Sequence, residues 1–308
     1  MFENEPDLFW KNFRLGTELQ ISGSFIYNAL QNFDKLRHFY YEHEIFEFLY
    51  NSSVGIERLL KICIVLLEHN PNMNQEIFEK TLITHNHIDL LSRIKKHREI
   101  NFGKTHNKFL DMLAKFYKST RYDRFNLRSV LNKPKDKSEL IKFLESELNI
   151  SIHSNFINIT PNSQRIKDFI GKILNKISRE LYQIIFNRSY ELKIFTYEIS
   201  HDSKASKVFM TNDYNFEPEK MLQREIFINY NNQKEKTELH KFVSNLKCLD
   251  LLDYDLNTYL QFMFDIESDR KIYTDLEEHY KEMNISIKLR KIELNAIGNE
   301  FSFEKEEE

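Results

Sequence analysis

Apolar residues recur at steps of three and four along most of the chain, which is the spacing of an amphipathic helix. The first segment of this kind covers residues 21–49. Its apolar positions include Phe25, Leu30, Phe33, Leu36, Phe39 and Tyr40. The pattern predicts one long helical region here.

The following stretch, NSSVGIERLLKICIVLLEH, is apolar on nearly every side between residues 59 and 67. Such a helix belongs at the centre of a bundle, because it has no polar face to turn towards water. Candidates for its N-cap are Asn51, Ser52 and Ser53. Further helices are predicted at residues 75–82, in IDLLSRIKKH, and at residues 107–122.

One stretch departs from helical spacing. NISIHSNFINIT alternates apolar and polar residues, which predicts a lone strand or an extended linker. We place a domain boundary here, with a helical bundle at residues 1–149 and a second helical region of unknown role, ending in an acidic tail, at residues 150–308. The predicted fold class is therefore mainly all-α.

The composition agrees with long helices and short loops. The chain has only 6 glycines and 5 prolines, the residues that punctuate turns. Cys63 and Cys248 lie far apart and form no metal-binding pair, and the acidic N-terminus lacks the basic residues of a signal peptide. The most apolar run, LLKICIVLL, has about half the length of a membrane span. We expect a soluble, cytoplasmic protein with no membrane association.

Positive charge is concentrated in one segment. Residues 93–137 contain fourteen Lys or Arg and four Asp or Glu, whereas the whole chain has a net charge of −3. Concentrated positive charge favours polyanions. The alternative is a solvated face whose acidic complement lies on a neighbouring helix, and charge alone does not choose between them.

Familiar catalytic and metal motifs are absent from the sequence. Neither SVGIE nor FIGKI has the spacing of a phosphate-binding loop, and no His-Glu-x-x-His occurs. His85 and His87 are two residues apart, which does not place them on one helical face. We therefore predict no metal site and no cofactor.

A set of spaced polar residues remains. Glu57 precedes Lys61 by one helical turn, His85 opens the next helical hairpin, and Arg121 with Tyr122 closes the helix after that. Taken singly, these residues are an intrahelical ion pair, a surface histidine and a cationic helix end that complements the helix dipole.

Taken in order, GIERLLK, THNHIDLLSRI and FYKSTRYDRF resemble the sequence motifs of the HEPN superfamily over roughly residues 20–130. The resemblance implies an up-down helical bundle, usually dimeric, from prokaryotic toxin–antitoxin, anti-phage and RNA-processing systems. Many members are metal-independent ribonucleases with an Arg-x4–6-His motif on the last bundle helix. There the arginine would stabilise the phosphate oxyanion and the histidine would act as general acid or base.

This chain departs from that motif, because no histidine follows Arg121 within seven residues. The Arg-Tyr form is similar to the branch of the superfamily associated with nucleotide or nucleic-acid binding. A literal Arg-x5-His occurs instead at Arg37 and His43, in the first predicted helix. The candidate catalytic residues are Arg121, Tyr122, Arg37 and His43, and the candidate phosphate- or RNA-binding residues are Arg124, Lys118, Arg128 and His85.

Two hypotheses follow from these observations. The first is an RNA- or nucleotide-binding protein of a bacterial defence or toxin–antitoxin system, with ribonuclease activity left open and a homodimer and an antitoxin among the implied partners. The second is a non-catalytic helical module whose basic segment docks an acidic protein partner. A salt titration of RNA binding separates them, because only the first predicts a steep salt dependence.

Overall fold

The structure, a computed structural model, is helical throughout most of its length, as the periodicity predicts. It describes residues 6–127, 134–155, 158–194, 199, 203–211, 213–248, 255–264, 270–282, 286–295 and 297–298. The chain forms two compact units, Met1–Phe216 and Glu217–Glu308.

The first unit contains nine α-helices and one short hairpin among its described residues. The helices are α1 (Pro6–Phe9), α2 (Leu15–Lys35), α3 (Glu42–Glu68), α4 (Gln75–Thr81), α5 (His87–Lys95), α6 (Lys104–Lys118), α7 (Lys135–Leu148), α8 (Gln164–Glu191) and α9 (Lys204–Phe209). A π-helical turn, Trp10–Arg14, joins α1 to α2, and a 3-10 turn, Thr120–Phe125, follows α6. The antiparallel pair β1 (Ser154–Asn155) and β2 (Asn158–Ile159) lies in the alternating stretch and confirms its extended structure.

Helix α3 is the central element of the first unit, as its apolar surface predicts. It contacts α2, α5, α6, α7 and α8. The side chains of Ile56, Leu59, Leu60, Cys63 and Ile64 have no exposed surface. A helix buried on this many sides fixes the positions of the helices around it, and hence of any polar group at its margin.

The structure corrects two predicted boundaries at the start of α3. The single helix predicted at residues 21–49 is broken between α2 and α3, because Phe39 is fully buried in an extended linker and acts as core rather than as part of a helix face. Ser52 and Ser53 lie inside α3 and are buried, so they are not its N-cap. Tyr41, with extended backbone, precedes the first helical residue instead.

The helix predicted at residues 107–122 also ends early. Helix α6 stops at Lys118, and Arg121 and Tyr122 lie in the 3-10 turn that follows. Ser119 adopts a non-helical conformation, with φ of −137°, and separates the two elements. The Arg-Tyr pair is therefore presented by a tight turn rather than by the last turn of an α-helix.

Helix α8 belongs to the first unit, where the sequence had suggested a second domain. Its apolar stripe includes Ile170, Leu174, Ile177 and Leu181, all fully buried, and it packs against α3. The division between the compact units falls after Phe216 rather than at the predicted 149/150 boundary. The apolar stripe on α8 completes the core of the bundle. The hairpin before α8 therefore connects helices that share one core.

The second unit has five described helices, α10 (Glu217–Asn232), α11 (Glu238–Asn245), α12 (Leu256–Phe264), α13 (Arg270–Glu282) and α14 (Ile287–Leu294). Helix α11 begins with a capping box in which the Thr237 hydroxyl and the His240 ring are reciprocally bonded to the backbone. The predicted acidic tail, residues 304–308, lies outside the described residues.

Helices α2 and α3 cross most closely at Gly55. The Ser22 hydroxyl donates a hydrogen bond to the Gly55 carbonyl at 2.7 Å in the buried interface. A methyl group on Gly55 would lie 2.7 Å from Ile26 Cγ1 and 3.1 Å from the Ile26 backbone nitrogen. Only glycine permits this approach of the two backbones.

We predict that Gly55→Ala lowers the free energy of unfolding by roughly 1–2 kcal/mol in urea denaturation. Alanine gains about 1 kcal/mol in helix propensity, but overpacking a buried contact costs about 1–3 kcal/mol. The upper part of that range applies here, because a backbone atom lies 3.1 Å from the new methyl group. The control is Gly103→Ala, whose new methyl would meet nothing nearer than 3.6 Å. A Gly55→Ala protein as stable as the wild type would contradict the close crossing.

Candidate functional site

The three motif segments meet at Glu57, on the margin of α3. The Lys61 ammonium donates to Glu57 Oε1 at 2.6 Å, and the His85 Nδ1 donates to Glu57 Oε2 at 3.0 Å. The Glu57 side chain is only 9% exposed, so both oxygens require these partners. Asn86 caps α5 by accepting from the Ile88 backbone N–H, which fixes the loop that carries His85.

Two aromatic contacts extend this cluster to the turn after α6. The His85 and Tyr117 rings meet edge to face with their centroids 4.9 Å apart. The Arg121 guanidinium lies over the Tyr117 ring at 3.7 Å and beside the Tyr122 ring at 4.6 Å. We call Lys61, Glu57, His85, Tyr117 and Arg121 the polar cluster. Partial burial raises the pKa of the Tyr117 phenol, an effect that Arg121 opposes, so the ring remains neutral at physiological pH.

Arg121 differs in its partners from the other described arginines of the basic segment. Within the described part of the chain no carboxylate lies within ion-pairing distance of it, and its Nε–H is buried without a hydrogen-bond acceptor. Arg124, three residues on, donates to Asp136 Oδ2 at 2.6 Å and to Glu42 Oε2 at 3.2 Å. The charge of Arg124 is therefore compensated, whereas Arg121 lies against the rings of Tyr117 and Tyr122 and hydrogen-bonds the Tyr117 hydroxyl.

Arg121 also reaches an open cleft of about 710 Å³. The cleft is bounded by the start of α3 and the linker before it, by the 3-10 turn, and by the first turn of α7. Its lining residues are Tyr40, Tyr41, Glu42, His43, Phe46, Arg121, Arg124, Phe125 and Lys137. Arg121 thus offers hydrogen-bond donors to a ligand in a cleft that is lined by aromatic side chains. Such an arrangement can hold a phosphate beside a planar ring.

Much of the basic segment is neutralised by carboxylates elsewhere in the first unit. Arg93 pairs with Glu68 at 2.5 Å, Arg98 with Glu191 at 2.9 Å, and Lys108 with Glu147 at 2.5 Å. These carboxylates belong to α3, α8 and α7. Part of the sequence excess of positive charge is thus compensated by ion pairs with neighbouring helices.

The predicted site residues fall into two groups. His85 and Arg121 lie in the polar cluster, while His43, Arg121 and Arg124 line the cleft and Tyr122 is 55% exposed beside Arg121. Lys118 is exposed and, among the described residues, has no ion-pair partner.

The predicted catalytic pair Arg37 and His43 is not on one helix. Arg37 lies in the linker between α2 and α3, and His43 is in the first turn of α3. Of the two, only His43 is among the described residues that line the cleft. Arg128 lies outside the described residues.

Sequence reasoning missed several contributors to the site. Tyr117 continues the apolar spacing of the helix predicted at residues 107–122, which does not mark it as a site residue. Asp136, a buried partner of Arg124, has no local signal because 12 residues separate the two. Tyr41 and Phe125 stand out because they are unusually exposed for aromatic residues, and exposure cannot be read from a sequence. The aromatic run FYYEH, which ends at His43, is the one sequence feature that points to this part of the site.

His87, next to the polar cluster, is a core residue. Its side chain is fully buried in α5, and its Nε2–H donates to the Ser53 carbonyl at 2.9 Å. Burial lowers its pKa, with the Ser53 bond and Glu57 opposing the effect. It supports the loop before α5 and does not face solvent, so it is not a candidate acid or base.

The described His, Cys, Asp and Glu side chains form no group of three that could hold a metal ion. The absence of a metal and of a cofactor stays a prediction. Within the described ranges, no helix combines the length and the apolar composition that a bilayer span requires.

Comparisons of the chain with protein-family models, with curated proteins and with solved structures find no match. The resemblance of its three motifs to the HEPN superfamily is therefore neither supported nor opposed by a relative.

We predict that the free energy of unfolding decreases as the pH falls from 7 to 5, and that His87→Gln reduces this decrease. The unfolded state binds a proton near the ordinary histidine pKa of about 6.5, whereas burial keeps the folded His87 neutral to lower pH. The unfolded state therefore holds more protons below that pKa, and stability falls by at most about 1.4 kcal/mol per pH unit for each such group.

Urea denaturation at pH 7 and pH 5 measures the effect. Burial also lowers the pKa of His106, so part of the dependence persists in His87→Gln and is reduced further in the double variant. An unchanged pH dependence in His87→Gln would contradict the neutral buried state of His87.

Proposed function

We propose that this chain binds RNA or a nucleotide through the cleft that Arg121 lines. The observation that carries the proposal is the Arg121 guanidinium, which has no carboxylate partner among the described residues and lies over the Tyr117 ring at 3.7 Å. An arginine with unused donors is suited to phosphate, because its planar fork matches two phosphate oxygens.

The surroundings of Arg121 support the same ligand chemistry. Tyr122 is 55% exposed beside it, and the His85 side chain is 51% exposed at the edge of the polar cluster. Aromatic rings and an imidazole lie near a guanidinium that pairs with no carboxylate among the described residues, and this set of groups suits a ligand that carries both a negative charge and a planar base. A carboxylate on a protein would use the charge but not the rings.

The alternative, a module that docks an acidic protein through the whole basic segment, has less support. Six of its Lys and Arg side chains already pair with carboxylates in the described part of the chain: Arg93, Arg98, Lys108, Lys115, Arg124 and Lys135. Breaking these pairs to meet a partner would return little net energy.

The motif resemblance supplies the biological context of the proposal. It places the chain in a bacterial defence or toxin–antitoxin system of the HEPN kind, as a homodimer with an antitoxin or another acidic protein as partner, in the cytoplasm.

We predict that Arg121→Ala weakens binding of a single-stranded RNA about tenfold. The plot of log affinity against log salt concentration becomes less steep by about 0.7, the contribution of one phosphate contact. The matched control is Arg98→Ala, which removes the same charge from the same segment but from an arginine already bound to Glu191. Fluorescence anisotropy over a range of salt concentrations measures both quantities.

Equal losses in the two variants would mean that general charge, not the Arg121 cleft, holds the RNA. If the wild type binds no RNA or nucleotide at low salt, the proposed function is wrong.

A second candidate function, metal-independent RNA cleavage, is favoured by one observation: His43 and Arg121 line the same cleft. In that reaction His43 would take the proton of the 2′-hydroxyl while its oxygen forms a bond to phosphorus. The bond from phosphorus to the 5′-oxygen would break, and the leaving oxygen would take a proton from solvent. Arg121 would stabilise the charge on the non-bridging oxygens.

We expect a cleaving protein to lose activity at least a hundredfold in EDTA on His43→Ala or Arg121→Ala, because general base catalysis and oxyanion stabilisation each contribute about that factor or more. A labelled RNA pool resolved by length measures it, with Arg98→Ala as the control. RNA that stays intact with the wild type at every concentration excludes cleavage and leaves the binding function standing.

A further inference from the structure

The linker between α2 and α3 displays a cluster of aromatic rings at the mouth of the cleft. The Tyr41 ring centroid lies 5.1 Å from that of Tyr40, 5.3 Å from that of His38 and 5.7 Å from that of His43. Four rings within six residues form one continuous surface. Tyr41, in the middle, is 47% exposed.

The aromatic residue Phe125 also lines the cleft. Phe125, the last residue of the 3-10 turn, is 87% exposed and lines the cleft together with Tyr41. A phenylalanine this exposed gains nothing from burial within the first unit. Its placement at a cleft lined by other aromatic residues indicates that a flat, apolar group of a ligand covers it.

Positive charge accompanies the rings. Arg121 lines the same cleft, and the Lys137 ammonium lies 5.6 Å from the Tyr40 ring centroid while donating to the Tyr40 carbonyl at 2.8 Å. Alternating cations and aromatic faces match a chain in which phosphates alternate with planar bases. A double helix presents its phosphates but keeps its base faces stacked inside, so it cannot use the rings.

The aromatic linker is held in place by the core. Asn162 is buried, and its side-chain amide donates to the carbonyls of Phe33 at 2.9 Å and Leu36 at 3.0 Å. Its backbone N–H donates to the Arg37 carbonyl at 2.8 Å, and His38 forms a β-bridge with Pro161. The backbone at the start of the linker is thereby held in place before a ligand arrives, which reduces the entropy lost on binding.

We propose that this cleft takes unpaired nucleobases, with Tyr41 as the stacking platform and Phe125 as a second aromatic wall, so that the ligand is a single-stranded nucleic acid. The inference rests on the proposed function, since it assigns the base-binding part of the same cleft. Arg121 holds phosphate and the rings hold bases, and these two contributions are separable by experiment.

The test uses the full-length chain and two oligonucleotides of equal length and charge, one with bases and one abasic throughout. We expect the wild type to bind the base-containing strand at least tenfold more tightly, since stacking of one base on an aromatic ring contributes about this factor or more. Tyr41→Ala removes most of this preference, and Tyr41→Phe retains it. The control is Tyr190→Ala, which removes a tyrosine that is 76% exposed on α8.

A fluorescent base analogue, 2-aminopurine, supplies a second readout, because its emission is quenched when it stacks. Quenching on binding to the wild type and its loss in Tyr41→Ala support the proposal. Equal quenching in RNA and DNA strands shows that stacking, not the 2′-hydroxyl, is responsible, and a hairpin with every base paired is expected to compete poorly.

Three outcomes overturn the inference and are distinguishable. If the abasic and base-containing strands bind equally and Arg121→Ala weakens both, the phosphate site stands and the base site is wrong. If Tyr41→Ala keeps the full preference for bases, Tyr41 is not the platform. If neither strand binds, the proposed function fails and the base site fails with it.

Discussion

The close crossing of α2 and α3 at Gly55 is the constraint on which the rest of the first unit depends. Because no side chain separates the helices there, the Ser22 hydroxyl reaches the Gly55 carbonyl and Ile26 packs against the α3 backbone. The crossing sets the depth of α3 in the bundle, and α3 in turn places Glu57, two residues beyond Gly55, where its carboxylate is nearly buried but still reaches Lys61 and His85. The polar cluster is thus a consequence of how two apolar helix faces meet.

Hydrophobic spacing predicted the all-α class, the central position of α3 and extended structure before α8. It did not predict the break between α2 and α3, because Phe39 and Tyr40 continue the apolar spacing although the backbone there is extended and tied to Asn162. It also placed a domain boundary where α8 in fact completes the core of the first unit. Both differences arise from contacts between residues more than a hundred positions apart, which a local pattern does not contain.

The candidate site was partly visible in the sequence, since the structure brings Glu57, Lys61, His85 and Arg121 together from three separate motifs. Charge counting was less informative than charge pairing. Arg121 and Arg124 are equivalent in the sequence, yet Arg124 is bound by Asp136 and Glu42, and no carboxylate in the described part of the chain pairs with Arg121. This difference between the two arginines depends on which acidic side chains the folded helices bring near each of them. It narrows the candidate phosphate site from the whole basic segment to the Arg121 guanidinium.

The most direct test of the central claim, that Arg121 and its aromatic neighbours form the ligand site, is to map where a bound RNA contacts the chain. An RNA oligonucleotide carrying 4-thiouridine, cross-linked by light and digested for mass spectrometry, identifies the modified peptides. The account predicts cross-links on the peptides that contain Tyr41, Tyr117 and Tyr122, and their loss in Arg121→Ala. Cross-links confined to Glu217–Glu308, or unchanged in Arg121→Ala, would contradict it.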